Sequence, residues 1–318
     1  MKAKICSLVK KNKIKLIVVL LLVILAIIMG ATSPNKEDFE KQIPEKFKKL
    51  EARFVKKPVY LDYGIASSYY QIKKISSVSE ESVEYIGVFN KVYEVKTPMQ
   101  EFAFDCMKWL PSLLKGAEVT IYLTIVAVLA GMFFGIFLAL GKMSKLPVIS
   151  HFCRAYIFFF RGTPLLMQLM FIYYSLPMIN PNFAINDRFI CSCVAFGLNS
   201  AAYCSELIRA AIESIDKGQT EAAKALGFTY GQTMRKIIIP QTYKRLVPPF
   251  ANEFIMILKD ASLTSIIALQ DLSKVTTSIQ SSTAKYTVFI PSMIIYLLIT
   301  GVFGKVFELL EKKYSVYE

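Results

Sequence analysis

The sequence predicts an all-α polytopic membrane protein of about six transmembrane helices with a small extracytoplasmic insertion, and three observations predict it. Of the 318 residues, 54% are hydrophobic and the mean hydropathy is +0.44, too apolar for an ordinary soluble domain. Apolar runs of membrane-spanning length recur between Leu16 and Phe307. Lys and Arg collect in alternate short loops, the asymmetry that sets orientation in a bilayer.

Residues 1–32 are expected to be a cytoplasmic N-terminus and a first membrane anchor. Leu16 to Ala31 is continuously apolar and follows six lysines, Lys2, Lys4, Lys10, Lys11, Lys13 and Lys15, which hold the N-terminus inside. A retained anchor is the favoured reading and a cleaved signal peptide the alternative, because Gly30 to Ser33 is a weak cleavage site. Residues 33–109 read as an extracytoplasmic insertion. Ser33 to Asp105 carries twelve basic and twelve acidic residues, with a charged helix near Lys36 to Lys56 and short strands where Tyr85 to Val95 alternates. A loosely ordered spacer is the other reading of this stretch.

Residues 110–310 hold five further spans. Val119 to Leu140 is uncharged and contains Gly131-x-x-x-Gly135, a close-packing signal for membrane helices. Ala155 to Pro177, Phe189 to Ile212, Val247 to Leu269 and Tyr286 to Phe307 follow. Lys142, Lys145 and Arg154 mark one inner loop, and Lys217 to Arg245 supplies six more basic residues to the next. The intervening outer loops hold only Arg188, Lys274 and Lys285. Both termini, the 311–318 tail and a hairpin over 216–241 are therefore expected in the cytoplasm.

Composition also excludes several functions. The formal net charge of +14 lies beside apolar runs, where it serves topology and contacts with anionic membrane lipid, not nucleic acid. The six cysteines form no paired framework, so neither a disulfide scaffold nor a metal site is indicated. With one histidine there is no hydrolytic constellation, no catalytic residue is assigned, and without a Gly-rich phosphate loop the chain does not hydrolyse ATP by that route.

The hairpin is the most informative stretch. Glu221, Ala222, Ala223 and Ala225 favour a short helix with a closely approachable face, and Gly227 supplies a left-handed stop. Thr229 and Gln232 make a capping box for a second helix that runs to Ile237 and Ile239 and ends at Pro240. Helix caps alone would fit an ordinary loop between spans.

The spacing resembles something more specific. Glu221-Ala222-Ala223, three residues, Gly227, nine residues, Ile237, one residue, Ile239-Pro240 is similar to the E-A-A signature of importer-type ATP-binding-cassette permeases, with Ile239 in place of Leu. Arg161 to Leu169, Ser200 to Arg209 and Leu258 to Leu263 resemble segments of the branch that imports histidine, glutamine, glutamate and arginine. Asp216 departs from the Pro usual there, and can cap the same helix. The resemblance covers roughly Leu110 to Leu310 and implies a type I importer transmembrane fold in the bacterial plasma membrane. It implies docking of an ATPase subunit through Glu221, Ala222, Ala223, Gly227, Ile237 and Pro240. It also implies ATP and Mg bound by that partner and no cofactor on this chain, an extracytoplasmic amino acid-binding protein, and a second permease subunit, identical or not.

Intramembrane polarity supplies the candidate path. Asn252 and Glu253 stand two helical turns before Lys259 and Asp260, and charges facing lipid would each cost about 2.5 to 3.5 kcal/mol. Ser262 continues the polarity, and Arg161, Thr163, Gln168 and Tyr203 are the other candidates. A cavity with both signs of charge suits an amino acid. The alternatives are a structural Lys259–Asp260 pair, an Arg161 that snorkels to headgroups, and Glu206, Arg209 and Glu213 as a salt-bridged helix end. The rival function is an ion-coupled secondary transporter or channel, and a membrane-anchored sensor is a third.

Overall fold

The computed structural model describes Lys41, the strands between residues 59 and 94, and residues 97–314. The predicted anchor Leu16 to Ala31 lies outside the described residues, as does the charged helix near Lys36 to Lys56 except for Lys41, which is helical and exposed. The chain divides into two units, one ending at Ser112 and one beginning at Leu113.

In the first unit, strands rich in aromatic and β-branched residues form a meander. β1 (Val59–Asp62), β2 (Ser68–Ile75), β3 (Glu80–Val88) and β4 (Lys91–Glu94) pair antiparallel in sequence order. The register sets Tyr70 opposite both Tyr60 and Tyr85. The short strands expected from the alternating pattern are present.

From Leu113 onward the described elements are helical, joined by short turns. α1 (Pro98–Lys142) is a helix of 45 residues that contains the span expected at Val119 to Leu140. α2 (Pro147–Gly162) and α3 (Leu165–Met170) follow, then a π turn at Phe171–Ser175 and α4 (Leu176–Ile179). α5 (Arg188–Glu213) is the most deeply buried helix, with its N-terminus capped by Asp187, which accepts from the Ile190 amide at 2.9 Å. α6 (Lys217–Ala225) and α7 (Tyr230–Thr233) form the hairpin. α8 (Ile239–Asp260), α9 (Leu272–Thr283) and α10 (Phe289–Tyr314) complete the unit.

Apolar side chains face both ways. Leu123, Ala127, Phe196, Phe254 and Ile257 pack into the core, while Phe133, Phe137, Leu297 and Leu298 remain exposed on α1 and α10. That inside-and-outside apolarity suits lipid as the surrounding solvent. The close approach predicted from Gly131 and Gly135 is present: a Cβ at Gly131 would lie 2.6 Å from the Ser200 side chain, and one at Gly135 would lie 2.9 Å from Cys204 Cβ.

By length and apolarity alone, two described helices can cross a membrane, Pro98–Lys142 and Tyr286–Lys312. The expected spans Ala155 to Pro177 and Val247 to Leu269 are not continuous helices. The first breaks between Gly162 and Leu165, where the flanking helices turn by 104°. The second leaves the α-helix after Asp260 and runs as a 3-10 turn over Ala261–Ile267. Its hydroxyls explain the change, because Ser262 donates to the Lys259 carbonyl at 2.8 Å and Thr264 to the Ala261 carbonyl at 2.7 Å, each in competition with the helical ladder.

Candidate functional site

Breaking a helix inside a membrane frees backbone groups that lipid cannot satisfy. Pro164 lacks an N–H, so the Phe160 carbonyl four residues earlier has no helical donor. Gln168 Nε2 donates to that carbonyl at 2.9 Å and Asn199 Nδ2 donates to it at 3.1 Å. Gln168 also donates to the Thr163 carbonyl and hydroxyl at 3.1 and 2.8 Å, and its own Oε1 accepts from Asn199 at 3.0 Å. The break is therefore locked by a buried amide pair drawn from α3 and α5.

The locked break walls a cavity of about 460 Å³. Arg161, Thr163, Asn199, Tyr203, Glu253 and Asp260 supply its polar lining, and Pro164, Leu165, Leu166, Met256, Ile257 and Leu263 its apolar part. Positions 253, 256, 257 and 260 share one face of α8, which aims both carboxylates at the same space. Glu253 is 5% exposed and accepts from the Ser200 hydroxyl at 3.1 Å. Among the described residues no ion pair reaches Glu253, Lys259 or Asp260.

Beside the cavity, one turn further along α5, Glu206 gathers cations from three helices. Lys142 of α1 approaches it at 2.5 Å, Arg209 of α5 at 2.9 Å and Arg161 of α2 at 3.9 Å. Arg209 also pairs with Glu213, the salt-bridged helix end expected from the spacing. The Arg161 guanidinium lies 5.2 Å from the centre of the Tyr203 ring.

The hairpin continues from α5 and feeds α8, the two helices that carry the cavity carboxylates and Tyr203. Asp216 caps α6 by accepting from the Gly218 amide at 2.6 Å. Gly227 has φ +78°, the left-handed stop its position required. The Phe228 amide donates to the Ala223 carbonyl at 3.0 Å and the Gly227 amide to that of Lys224 at 2.9 Å, the paired bonds of a Schellman end. Both arms of the Thr229–Gln232 capping box are made, at 2.9 and 3.3 Å. Glu221, Ala222 and Gly227 are exposed and Ala223 is buried, and Leu226 and Tyr230 stand out at 76% and 72% exposure.

Pro240 does not end the second helix. The chain passes through a π turn at Met234–Ile238 and enters α8 with Pro240 in its first turn. In that turn the Ile239 amide reaches back five residues to the Met234 carbonyl, and a first-turn proline has no helical donor to forfeit. Ile237 is half-buried beside the buried Ile238.

Of the nine path candidates, Arg161, Thr163, Tyr203, Glu253 and Asp260 line the cavity. Gln168 is buried behind it in the amide clasp, and Asn252, Lys259 and Ser262 lie outside its lining, the first two exposed. Asn199 and Met256 were not singled out by sequence reasoning. A polar residue in the middle of an apolar span was the signal that could have found Asn199.

A polar cavity walled by a broken helix within an apolar bundle defines a membrane permease. The chain belongs to the binding-protein-dependent transport system inner membrane component family, whose family model matches residues 131–316. It is 37% identical over 208 residues to the probable amino-acid ABC transporter permease protein YckA of Bacillus subtilis (strain 168), covering 65% of this chain and 91% of that protein. It is 38% identical over 192 residues to the arginine transport system permease protein ArtQ of the same organism, covering 60% and 87%. A crystal structure of an amino acid ABC transporter with histidines superposes with a TM-score of 0.63 at 38% identity, covering 66% of this chain and 97% of that one. An inward-facing structure of the MetNI methionine ABC transporter shares the fold at 16% identity and a TM-score of 0.54, covering 69% and 99%. The fold is that of a type I importer transmembrane subunit, a transport component whose ATP hydrolysis belongs to a partner subunit. These relationships do not favour an ion-coupled secondary transporter.

Proposed function

We infer that this chain forms the translocation path for a polar amino acid in an ATP-driven importer, with the cavity between Arg161, Tyr203, Glu253 and Asp260 as that path. One observation carries the reading: the exposed hairpin is covalently continuous with α5 and α8, the helices that supply Tyr203 and both carboxylates to the cavity. A push on the hairpin therefore reaches the cavity wall along α8, which is helical from Ile239 to Asp260. In this reading the ATPase subunit, carrying ATP and Mg, seats on the exposed Glu221, Ala222 and Gly227, with the buried Ala223 supporting that face, Ile237 in the π turn and Pro240 in the first turn of α8. An external amino acid-binding protein loads the path, and a second permease subunit completes it. The names of the relatives support amino acid as the cargo, and the mixed charge of the cavity agrees with a zwitterion.

The test is uptake of radiolabelled arginine, histidine, glutamine and cystine into proteoliposomes holding the permease, its ATPase and its binding protein. Uptake that requires ATP hydrolysis is the expected result. Uptake driven by an ion gradient without the ATPase would overturn the reading.

A further inference from the structure

The hairpin is a compact block with two unequal attachments. α6 packs against α7 and against the π turn, and Ile215, Ala223, Thr233, Ile238 and Thr242 are buried. On one side the π turn runs without a break into α8. On the other side α5 ends at Glu213, and Ser214, Ile215 and Asp216 make a non-helical joint before α6. A joint of that kind bends before it transmits a displacement. The route along α8 has a weak point too, because Pro248 and Pro249 lie between the hairpin and Glu253, and each removes one bond from the helical ladder.

Arg245 bridges the joint from the hairpin side of those prolines. Its Nη1 donates to the Ser214 carbonyl, which ties the start of α8 to the end of α5. Arg245 shares a face of α8 with the buried Ile238 and Thr242, the face turned to the hairpin interior. Ser214 in turn is fixed to the last turn of α5. Its amide donates to the Ala210 carbonyl at 2.9 Å and its hydroxyl to the Ala211 carbonyl at 2.7 Å. Its own carbonyl belongs to a helix C-terminus, which leaves such groups without helical donors and favours a cation beside them. Whatever moves Arg245 therefore pulls on α5 directly.

We propose that Arg245 is a positioning residue that carries the displacement of the hairpin into α5, so that Asn199 and Tyr203 on one wall of the cavity move together with Glu253 and Asp260 on the other. This rests on the ATPase subunit seating on the hairpin, as inferred above. Arginine suits the task because its planar, permanently charged fork holds an acceptor in a fixed direction. Without the bond the hairpin drives α8 alone, through two prolines, and ATP is hydrolysed while one wall lags. Arg245 is exposed, so water can replace the lost bond at little cost to folding.

The test reconstitutes permease, ATPase and binding protein in proteoliposomes. It measures molecules imported per ATP hydrolysed, for whichever of radiolabelled arginine, histidine, glutamine and cystine the wild type takes up. Arg245→Gln should co-purify with the ATPase and hydrolyse ATP within about two-fold of the wild-type rate, while import per ATP falls roughly ten-fold, the equivalent of one charge-assisted hydrogen bond. Arg245→Lys keeps a charged donor and should recover part of that ratio. A merely structural role would lower hydrolysis and import in parallel and leave the ratio alone. An Arg245→Gln complex with the wild-type ratio would therefore overturn the proposal. So would an Arg245→Gln chain that no longer assembles, or an Arg245→Lys complex no better coupled than Arg245→Gln. A wild-type complex that imports none of the panel, or that imports without its ATPase, would instead overturn the reading of the path and its hairpin.

Discussion

The Phe160 carbonyl shows how much rests on single side chains in this bundle. Pro164 removes its helical donor, and two amides separated from it by 8 and 39 residues replace that donor. A buried polar group left without a partner costs about 1 to 3 kcal/mol. Gln168→Leu is close to isosteric, so its effect reports the lost bonds to Phe160, Thr163 and Asn199. The purified complex should unfold at a lower temperature by an amount matching about 1 to 3 kcal/mol, and uptake should fall because the break that shapes the cavity loosens. A wild-type unfolding temperature would show that the clasp does not hold the break. This arrangement also marks where the sequence stops being readable. Arg161, Thr163 and Glu253 could be suggested from intramembrane polarity, but Asn199 acts through partners 31 and 39 residues away, and no local pattern encodes that distance.

The helices divide into those with local signatures and those without. The hairpin was open to sequence reasoning because caps are local: Asp216, Gly227, Thr229 and Gln232 each act within a few residues of themselves. Pro240 misled because a proline normally terminates a helix, and the π turn that absorbs it has no simple sequence sign. Gly227 carries the clearest consequence. At φ +78° a side chain costs about 1 to 2 kcal/mol, and a β-branched one is worse, although nothing stands in its way. Gly227→Val should insert into membranes normally and fail to co-purify with the ATPase subunit, whereas full recovery of the complex would remove the hairpin from the coupling role. The α1–α5 seam makes the opposite kind of demand, for space. Gly131→Val would drive its side chain into Ser200, the donor to Glu253. Overpacking there should cost about 1 to 3 kcal/mol and lower both the unfolding temperature and uptake. A variant with unchanged stability would mean that α1 can yield at this crossing.

Of the six spans read from hydropathy, the five that fall in the described residues become two helices that qualify alone and a third pair that qualifies only as a bent unit. The difference has a physical cause: α5 and α8 carry Asn199, Ser200, Glu206, Glu253 and Asp260, which lower their apolarity because they face protein and cavity instead of lipid. Hydropathy therefore finds the lipid-facing wall and undercounts the lining, and the distribution of Lys and Arg supplies an expected orientation. From that distribution the hairpin and the turn around α9 are expected on opposite sides of the bilayer. Lys224 and Ser278 are both exposed, one on α6 and one on α9. In cells expressing the full chain, a membrane-impermeant maleimide should label Ser278→Cys without permeabilisation and Lys224→Cys only after it, each scored above the background of the native cysteines. Labelling of Lys224→Cys in intact cells would reverse the orientation and place the hairpin out of reach of an ATPase. Labelling of neither before permeabilisation would put α9 within protein or lipid, and the external face of the permease would have to be sought elsewhere.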